Sequence, residues 1–336
     1  MNTILEKLLT SKEPALRYKV RAYLLDEDPD TPQLRRLQQE IKDGERVRQL
    51  LSEREASGKI PFHPYAKWYG AHWVLVMLAE MNYPAGDEEL VPLRDQVYAW
   101  LFSEGRSHAL KRYTKAGRIR MCASMEGNAL FALLKLGLAD ERIGMLLERL
   151  LVWQWPDGGW NCDKKPEAHV SSFTETLLPL RGLALSSQVT GHVQAQTASR
   201  QAAEIFLTRH LFKRQSDGPV MADDFLKLRY PCYWHYDILV GLKVMAEAGF
   251  LKDPRCREAL DILVSKRLPD GGFPAEKKCY HVRPQVENAR SVVDWGGTSR
   301  NRMNAFVTTD ALYVLKQVFS EAAWQEELAH RADSPG

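Results

Sequence analysis

Five polar residues stand at comparable places in the chain, each leading an apolar run. They are His72 before Trp73-Val74-Leu75, Asn128 before Ala129-Leu130-Phe131, Glu175 before Thr176-Leu177-Leu178, Asp237 before Ile238-Leu239-Val240, and Asp310 before Ala311-Leu312-Tyr313. Three carboxyls and an imidazole at one level would supply general acid/base chemistry, provided burial raised one carboxyl pKa towards neutrality. Glu175, Asp237, Asp310 and His72 are therefore the candidate catalytic residues, and Asn128 a candidate ligand contact. About one turn before two of these leaders, Trp68, Tyr69, Tyr233 and Trp234 would form an aromatic rim. Arg118, Arg120, Glu126, His235, Arg302 and Asn304 complete the candidate ligand-binding set. An apolar pocket with a few convergent polar groups suits a small ligand.

Each of these residues also has a purely structural reading. Acids at the start of a helix accept from its unpaired N–H groups and oppose its macrodipole. That accounts for Glu175, Asp237 and Asp310 without chemistry, but not for His72. The four aromatics equally suit core packing, and Cys122, Cys162 and Cys232 suit small buried hydrophobes. The basic cluster Lys111, Arg112, Lys115, Arg118 and Arg120 is either a solvated face or, at a cavity mouth, a diphosphate site. Cys162, Asp163 and His169 have tolerable metal-ligand spacing but match no recognised pattern. No metal set is assigned, and the cofactor stays open.

The elements that would position these residues form a repeat. Apolar helices predicted from Trp73, Ala129–Leu138, Leu177–Leu185, Ile238–Ala248 and Ala311–Phe319 alternate with one-sided helices over Glu88–Phe102, Glu141–Trp153, Ala198–Phe212 and Arg255–Lys266. A helix apolar all round is buried, and one with a single apolar stripe lies outside it. Leu101, Leu151, Leu207 and Leu263 recur at similar places in the outer helices, each followed by a glycine-containing turn. The first sixty residues read as two charged helices, Glu13–Leu25 and Thr31–Glu55, an atypical first pair. The expected organisation is a helical pair over 1–60, a repeat domain over 61–325 and a polar tail over 326–336. Two long linkers, 186–197 and 274–305, are expected on the surface, and no strand pattern is apparent.

Two of the turns carry a resemblance. Leu150-Leu151-Val152-Trp153-Gln154 followed by Asp157-Gly158-Gly159-Trp160 resembles the glutamine–tryptophan repeat of terpenoid cyclases. Asp270-Gly271-Gly272-Phe273 is similar to the form found in protein prenyltransferase β subunits, with Lys266 and Arg267 where glutamine is usual. The resemblance spans roughly residues 60 to 320. It implies an all-α fold, an (α/α)6 toroid of about six helical hairpins, often with an isoprenoid-sized cavity. The families' catalytic signatures are not matched. Phe306-Val307-Thr308-Thr309 stands where a cyclase has its acidic segment, and Met221 replaces the first acid in Met221-Ala222-Asp223-Asp224. Cys232-Tyr233 resembles part of the prenyltransferase zinc site, but Tyr230 stands in place of its aspartate and 307–310 offer no histidine.

The bulk figures bound the rest. The chain has 336 residues, 45% hydrophobic and 26% charged, with a net charge of +3, which is ordinary for a soluble globular protein. Its charges form no basic stripe, so nucleic acid is not an expected partner. There is no apolar run long enough to span a membrane and no secretory pattern after Met1. Five scattered cysteines suit a reducing, cytoplasmic setting. Three functions compete. One is binding, or a reaction, of an apolar isoprenoid-like ligand in a central cavity. Another is a toroidal glycosidase or lyase, whose paired carboxyls would sit roughly 5 Å or 6.5–9.5 Å apart. The third is a non-catalytic scaffold for a protein or peptide.

Overall fold

The computed structural model describes residues 3–214, 217–320 and 322–324; the tail expected over 326–336 lies outside them. The described chain is mostly helical. It opens with α1 (Thr3–Leu9), α2 (Pro14–Lys19), a π turn over Val20–Leu24, α3 (Pro32–Lys42) and α4 (Glu45–Leu51). Then come α5 (Ala71–Glu80), α6 (Val91–Leu101), α7 (Glu104–Tyr113), α8 (Ala123–Lys135), α9 (Ile143–Trp153), α10 (Phe173–Thr190), α11 (Val193–Leu207), α12 (Ile238–Glu247), α13 (Arg257–Ser265) and α14 (Ala305–Lys316).

The alternation expected from hydropathy is present. Every residue of α5 from Ala71 to Ala79 is buried, whereas α9 buries only Leu146, Leu150 and Trp153 and α13 only Ala259, Leu260 and Leu263. The buried helices pack side by side, α5 on α8, α8 on α10, α10 on α12 and α12 on α14. α14 then packs against α2 and the π turn, while α3, α6, α9, α11 and α13 pack outside α2, α5, α8, α10 and α12. The outer side of α14 is covered differently. Ile4, Leu5 and Leu8 of α1 join Val20, Leu24, Leu312 and Trp324 in a small separate apolar cluster.

The Pro-Asp-Gly-Gly turns clamp this packing. Gln154 Nε2 donates to the carbonyls of Gly158 at 2.7 Å and Ala198 at 2.9 Å, tying the end of α9 to α11. Asp157 accepts from Ser171 through both its backbone N–H and its hydroxyl, at 2.7 and 2.6 Å. A Cβ at Gly158 would lie 2.7 Å from the Gln201 carbonyl, and its φ is +99°, so both space and backbone demand glycine. The aromatic that follows anchors the next helix. Trp160 N donates to Thr176 Oγ1 at 3.1 Å, and Phe273 N donates to Thr308 Oγ1 at 2.9 Å. The two turns thus do one job in two hairpins.

Several expectations need correction. The 186–197 linker is helical nearly throughout, because α10 runs to Thr190 and α11 starts at Val193; apart from buried Ser186 its polar residues reach solvent rather than break the helix. Thr31–Glu55 is two helices, interrupted at Asp43-Gly44. Helix α7 was not expected, since it buries no residue and carries no apolar stripe. Among the described residues four strands of two residues each occur, β1 (Thr114–Lys115) with β2 (Arg118–Ile119), and β3 (His281–Val282) with β4 (Arg290–Ser291). They are too short to leave an alternating pattern. The 274–305 segment is otherwise irregular, but it does not lie wholly on the surface as expected, since Ala275, Tyr280, Val293 and Trp295 are buried.

Helices α8 and α10 approach each other closely. A Cβ on Gly127 would lie 2.4 Å from the Pro179 nitrogen and 2.7 Å from the Leu178 carbonyl oxygen, all backbone. Gly127→Ala should therefore cost about 1–3 kcal/mol in urea unfolding. Gly105→Ala, in the open on α7, should instead be neutral or gain about 0.5 kcal/mol. Equal effects at the two sites would contradict this packing.

Candidate functional site

The five leading residues do not share a level. Thr176 and Thr308 grip equivalent turns, and each is the fourth residue of its helix. In that register Glu175 is the third residue of α10, whereas Asp310 is the sixth of α14. Asn128 is the sixth of α8, His72 the second of α5, and Asp237 the N-cap of α12. The apolar runs misled the alignment because polar caps, Ser172 and Asn304 among them, start the helices several residues earlier.

At the N-terminal ends, capping prevails. Asp237 accepts from Val240 N at 2.9 Å and Arg229 N at 3.0 Å, with the Arg229 guanidinium at 3.6 Å. Burial pushes its carboxyl up to about 6, against the pull of Arg229 and these N–H donors. Glu175 caps its neighbour, accepting from Ser124 N of α8 at 3.0 Å. Asn304 accepts from Phe306 N and Val307 N and donates to Trp295 O. His72 is 1% exposed, neither ring nitrogen has a partner, and Tyr65, Trp73 and Trp100 surround it. Burial, then Arg106, hold its pKa down at about 3. His72 is a neutral core residue, not a base for neutral pH.

The expected rim is packing. Trp68 stacks on Tyr233 with ring centres 4.1 Å apart and donates to Cys279 O. Tyr69 meets Phe62 edge-on, and Trp234 stacks on His235; burial lowers the His235 pKa to about 4. Arg120 is wholly buried and donates to the carbonyls of Asp163, Pro166 and Ala168, while Arg118 lies over Trp155. Arg302 is exposed. Glu126 is buried against Arg106 of α7 at 2.5 Å, and burial raises its pKa despite that partner. His169 and Asp163 are exposed and belong to local turns, so the Cys162-Asp163-His169 set does not converge.

The cavity opens at the other end of the buried helices. A volume of about 240 Å³ is lined by Lys19 of α2, Tyr23 of the π turn, Glu80 of α5, Phe131 and Lys135 of α8, Arg181 of α10, Lys243 and Glu247 of α12, and Asp310 and Tyr313 of α14. Its floor is ionic. Lys19 Nζ lies 3.0 Å from Asp310 Oδ1, and Lys243 Nζ lies 3.0 Å from Asp310 Oδ2 and 2.8 Å from Glu80 Oε2. Arg181 pairs with Glu80, grips Glu247 through Nε at 2.5 Å and Nη2 at 2.8 Å, and lies 3.7 Å over the Phe131 ring. Burial alone would push the Glu80 and Asp310 carboxyls up. Arg181, Lys243 and Lys19 overcome it for Glu80, as Lys19 and Lys243 do for Asp310, and both end below the usual range.

Beneath this floor a second space of about 40 Å³ shares Glu80, Arg181, Lys243 and Asp310 with the cavity, enough for an ordered water or a small polar group. Asn128 Nδ2 and the Tyr230 hydroxyl, both on buried residues lining this space, have no protein partner. At the mouth, Lys135 is exposed, with its ammonium 3.4 Å from the Tyr23 hydroxyl. Unlike the floor cations it has no carboxylate partner among the described residues.

Of the expected site residues, Asn128, Tyr233 and Asp310 reach these spaces. The ones missed had a signal. Arg181 and Lys243 are charges inside runs otherwise apolar all round, where an ionised group is costly unless paired. No protein-family model matches the chain, and no curated protein sequence matches it. Among the described residues no helix is long and apolar enough to cross a membrane.

The His72 geometry makes a prediction about acid stability. A depressed folded pKa means the unfolded chain binds the extra proton, so this contribution is present above 6.5 and is lost as pH falls towards about 3. By NMR, the His72 imidazole should stay neutral down to about pH 4, and His72→Phe should raise stability at acid pH by about 1–3 kcal/mol. A His72 titration near its ordinary value of 6.5 would contradict this burial.

Proposed function

We propose that the helices lining the cavity close as an (α/α)6 toroid, and that the cavity binds a small amphipathic ligand with a negatively charged end. The observation that carries this reading is that side chains from all six buried segments, α2 with its π turn, α5, α8, α10, α12 and α14, line one space. Closure is supported by the packing of α14 on α2 and by the hydrogen bond from Tyr23 to Asn82 just beyond α5. The Pro-Asp-Gly-Gly turns favour kinship with terpenoid cyclases and prenyltransferase β subunits, and so an isoprenoid-like apolar part. Phe131, Tyr23, Tyr313 and Leu185 offer it walls. A wholly apolar ligand does not suit the ionic floor. Lys135, last residue of α8 and without a carboxylate partner among the described residues, is the cation offered to an anionic head, which would offset the burial that lowers its pKa.

The glycosidase reading has one point in its favour, since Glu80 and Asp310 share the Lys243 ammonium and so lie close together. It lacks the proton donor that glycoside cleavage needs, because paired cations keep both carboxyls ionised.

Thermal unfolding with farnesyl diphosphate, farnesol and inorganic diphosphate tests the ligand class. The amphipathic anion should stabilise the protein, by about 2.7 kcal/mol at a hundredfold excess over its Kd, and the other two much less. Lys135→Glu should abolish the effect. Stabilisation by inorganic diphosphate alone, no stabilisation by any of the three, or an unchanged response in Lys135→Glu would refute the proposal.

A further inference from the structure

At the opposite end of the buried helices, away from the cavity, three ligand-type side chains from separate segments converge. Cys122 Sγ, Cys162 Sγ and a Glu175 carboxylate oxygen all lie within 4.8 Å of one another. We propose that they form a zinc site. Thiolates and a carboxylate are zinc ligands, and tetrahedral zinc with Zn–S about 2.3 Å and Zn–O about 2.0–2.2 Å needs ligand atoms about 3.5–3.8 Å apart. The site therefore needs an inward movement of about 1.3 Å at most.

Three features prepare these groups. Cys122 is the N-cap of α8, yet its side chain makes no capping bond, so its sulfur is free of the helix terminus and meets the Cys162 thiol instead. Cys162 sits on the loop that buried Arg120 staples through the carbonyls of Asp163, Pro166 and Ala168. That loop sulfur already faces Glu175, donating to Oε1 at 3.3 Å. The other carboxylate oxygen, Oε2, is held by Ser124 N at 3.0 Å, the kind of outer bond that orients a ligating carboxylate. Cys122 and Cys162 are both partly accessible, which gives the ion a path and leaves a fourth position for water. Binding transfers the two thiol protons to solvent, and the metal takes two thiolates and one carboxylate. The set lies on a different hairpin from Cys232, which among the described residues belongs to no such group of three ligands.

The full-length protein, reduced and stripped of metal, is dialysed against zinc and separately against cobalt. Elemental analysis should find one zinc per chain. Cobalt should give the intense visible bands of a tetrahedral site together with thiolate charge transfer. Cys122→Ser and Cys162→Ser should each lose stoichiometric metal while keeping the native circular dichroism, and Cys279→Ser should keep both. Glu175→Gln should retain the fold but bind metal more weakly, which separates ligation from folding. Three results would overturn the site: no stoichiometric uptake by the native-like reduced protein, uptake unchanged in the Cys122 and Cys162 variants, or octahedral cobalt spectra without thiolate charge transfer.

Discussion

The central constraint is that six charges have to meet in one cluster, five of them largely out of bulk water and Glu247 26% exposed at its edge. Lys19, Glu80, Arg181, Lys243, Glu247 and Asp310 come from α2, α5, α10, α12 and α14, and none forms its full set of pairs until the others arrive. A buried ion pair recovers its desolvation cost only when geometry and partners are complete. Here Asp310 holds one lysine on each oxygen, and Glu80 holds Lys243 and Arg181. The network therefore sets which helices meet and at what depth. It also keeps the space above it from being filled by hydrocarbon, so the cavity follows from the same interactions that hold its walls.

The two ends of the buried helices divide the work. At their N-termini, polar side chains satisfy backbone donors: Asp237 for α12, Asn304 for α14, Ser172 for α10, and Glu175 for the neighbouring α8. At their C-terminal ends the chain leaves space and charge. Phe131 shows how the two needs meet, since its face receives the Arg181 guanidinium. The cation keeps two carboxylates and an aromatic surface, and the ring becomes part of a polar cavity rather than of the core.

Much of the architecture was legible in the sequence because burial writes itself into periodicity. The alternation of Trp73–Leu78 with Glu88–Phe102, and of Ile238–Ala248 with Arg255–Lys266, gave the inner and outer helices. The Trp160 and Phe273 turns gave the punctuation. The candidate residues gather at the N-terminal ends of the buried helices, whereas the cavity lies at the other end. Acids ahead of apolar runs drew attention, yet Asp237 and Glu175 proved to be caps, and Asp310 lies deeper because α14 starts at Ala305. Arg181 and Lys243 were visible as charges in helices that should hold none. Their pairing was not, because Glu80 is separated from both, and Glu247 from Arg181, by other elements along the chain. Arg106 on α7 was hidden for a further reason, as its helix carries no apolar stripe at all.

The contact between the first and last hairpins, Lys19 with Asp310, bears most directly on this account. A double-mutant cycle of Lys19→Met and Asp310→Asn, read by urea unfolding, isolates it. Each single change leaves a buried charge short of a partner and should cost about 3–5 kcal/mol. The double variant should cost clearly less than their sum, a coupling of about 1–3 kcal/mol. Single variants within about 0.5 kcal/mol of the parent, or strictly additive losses, would contradict the claim that this network joins the chain's two ends around the cavity.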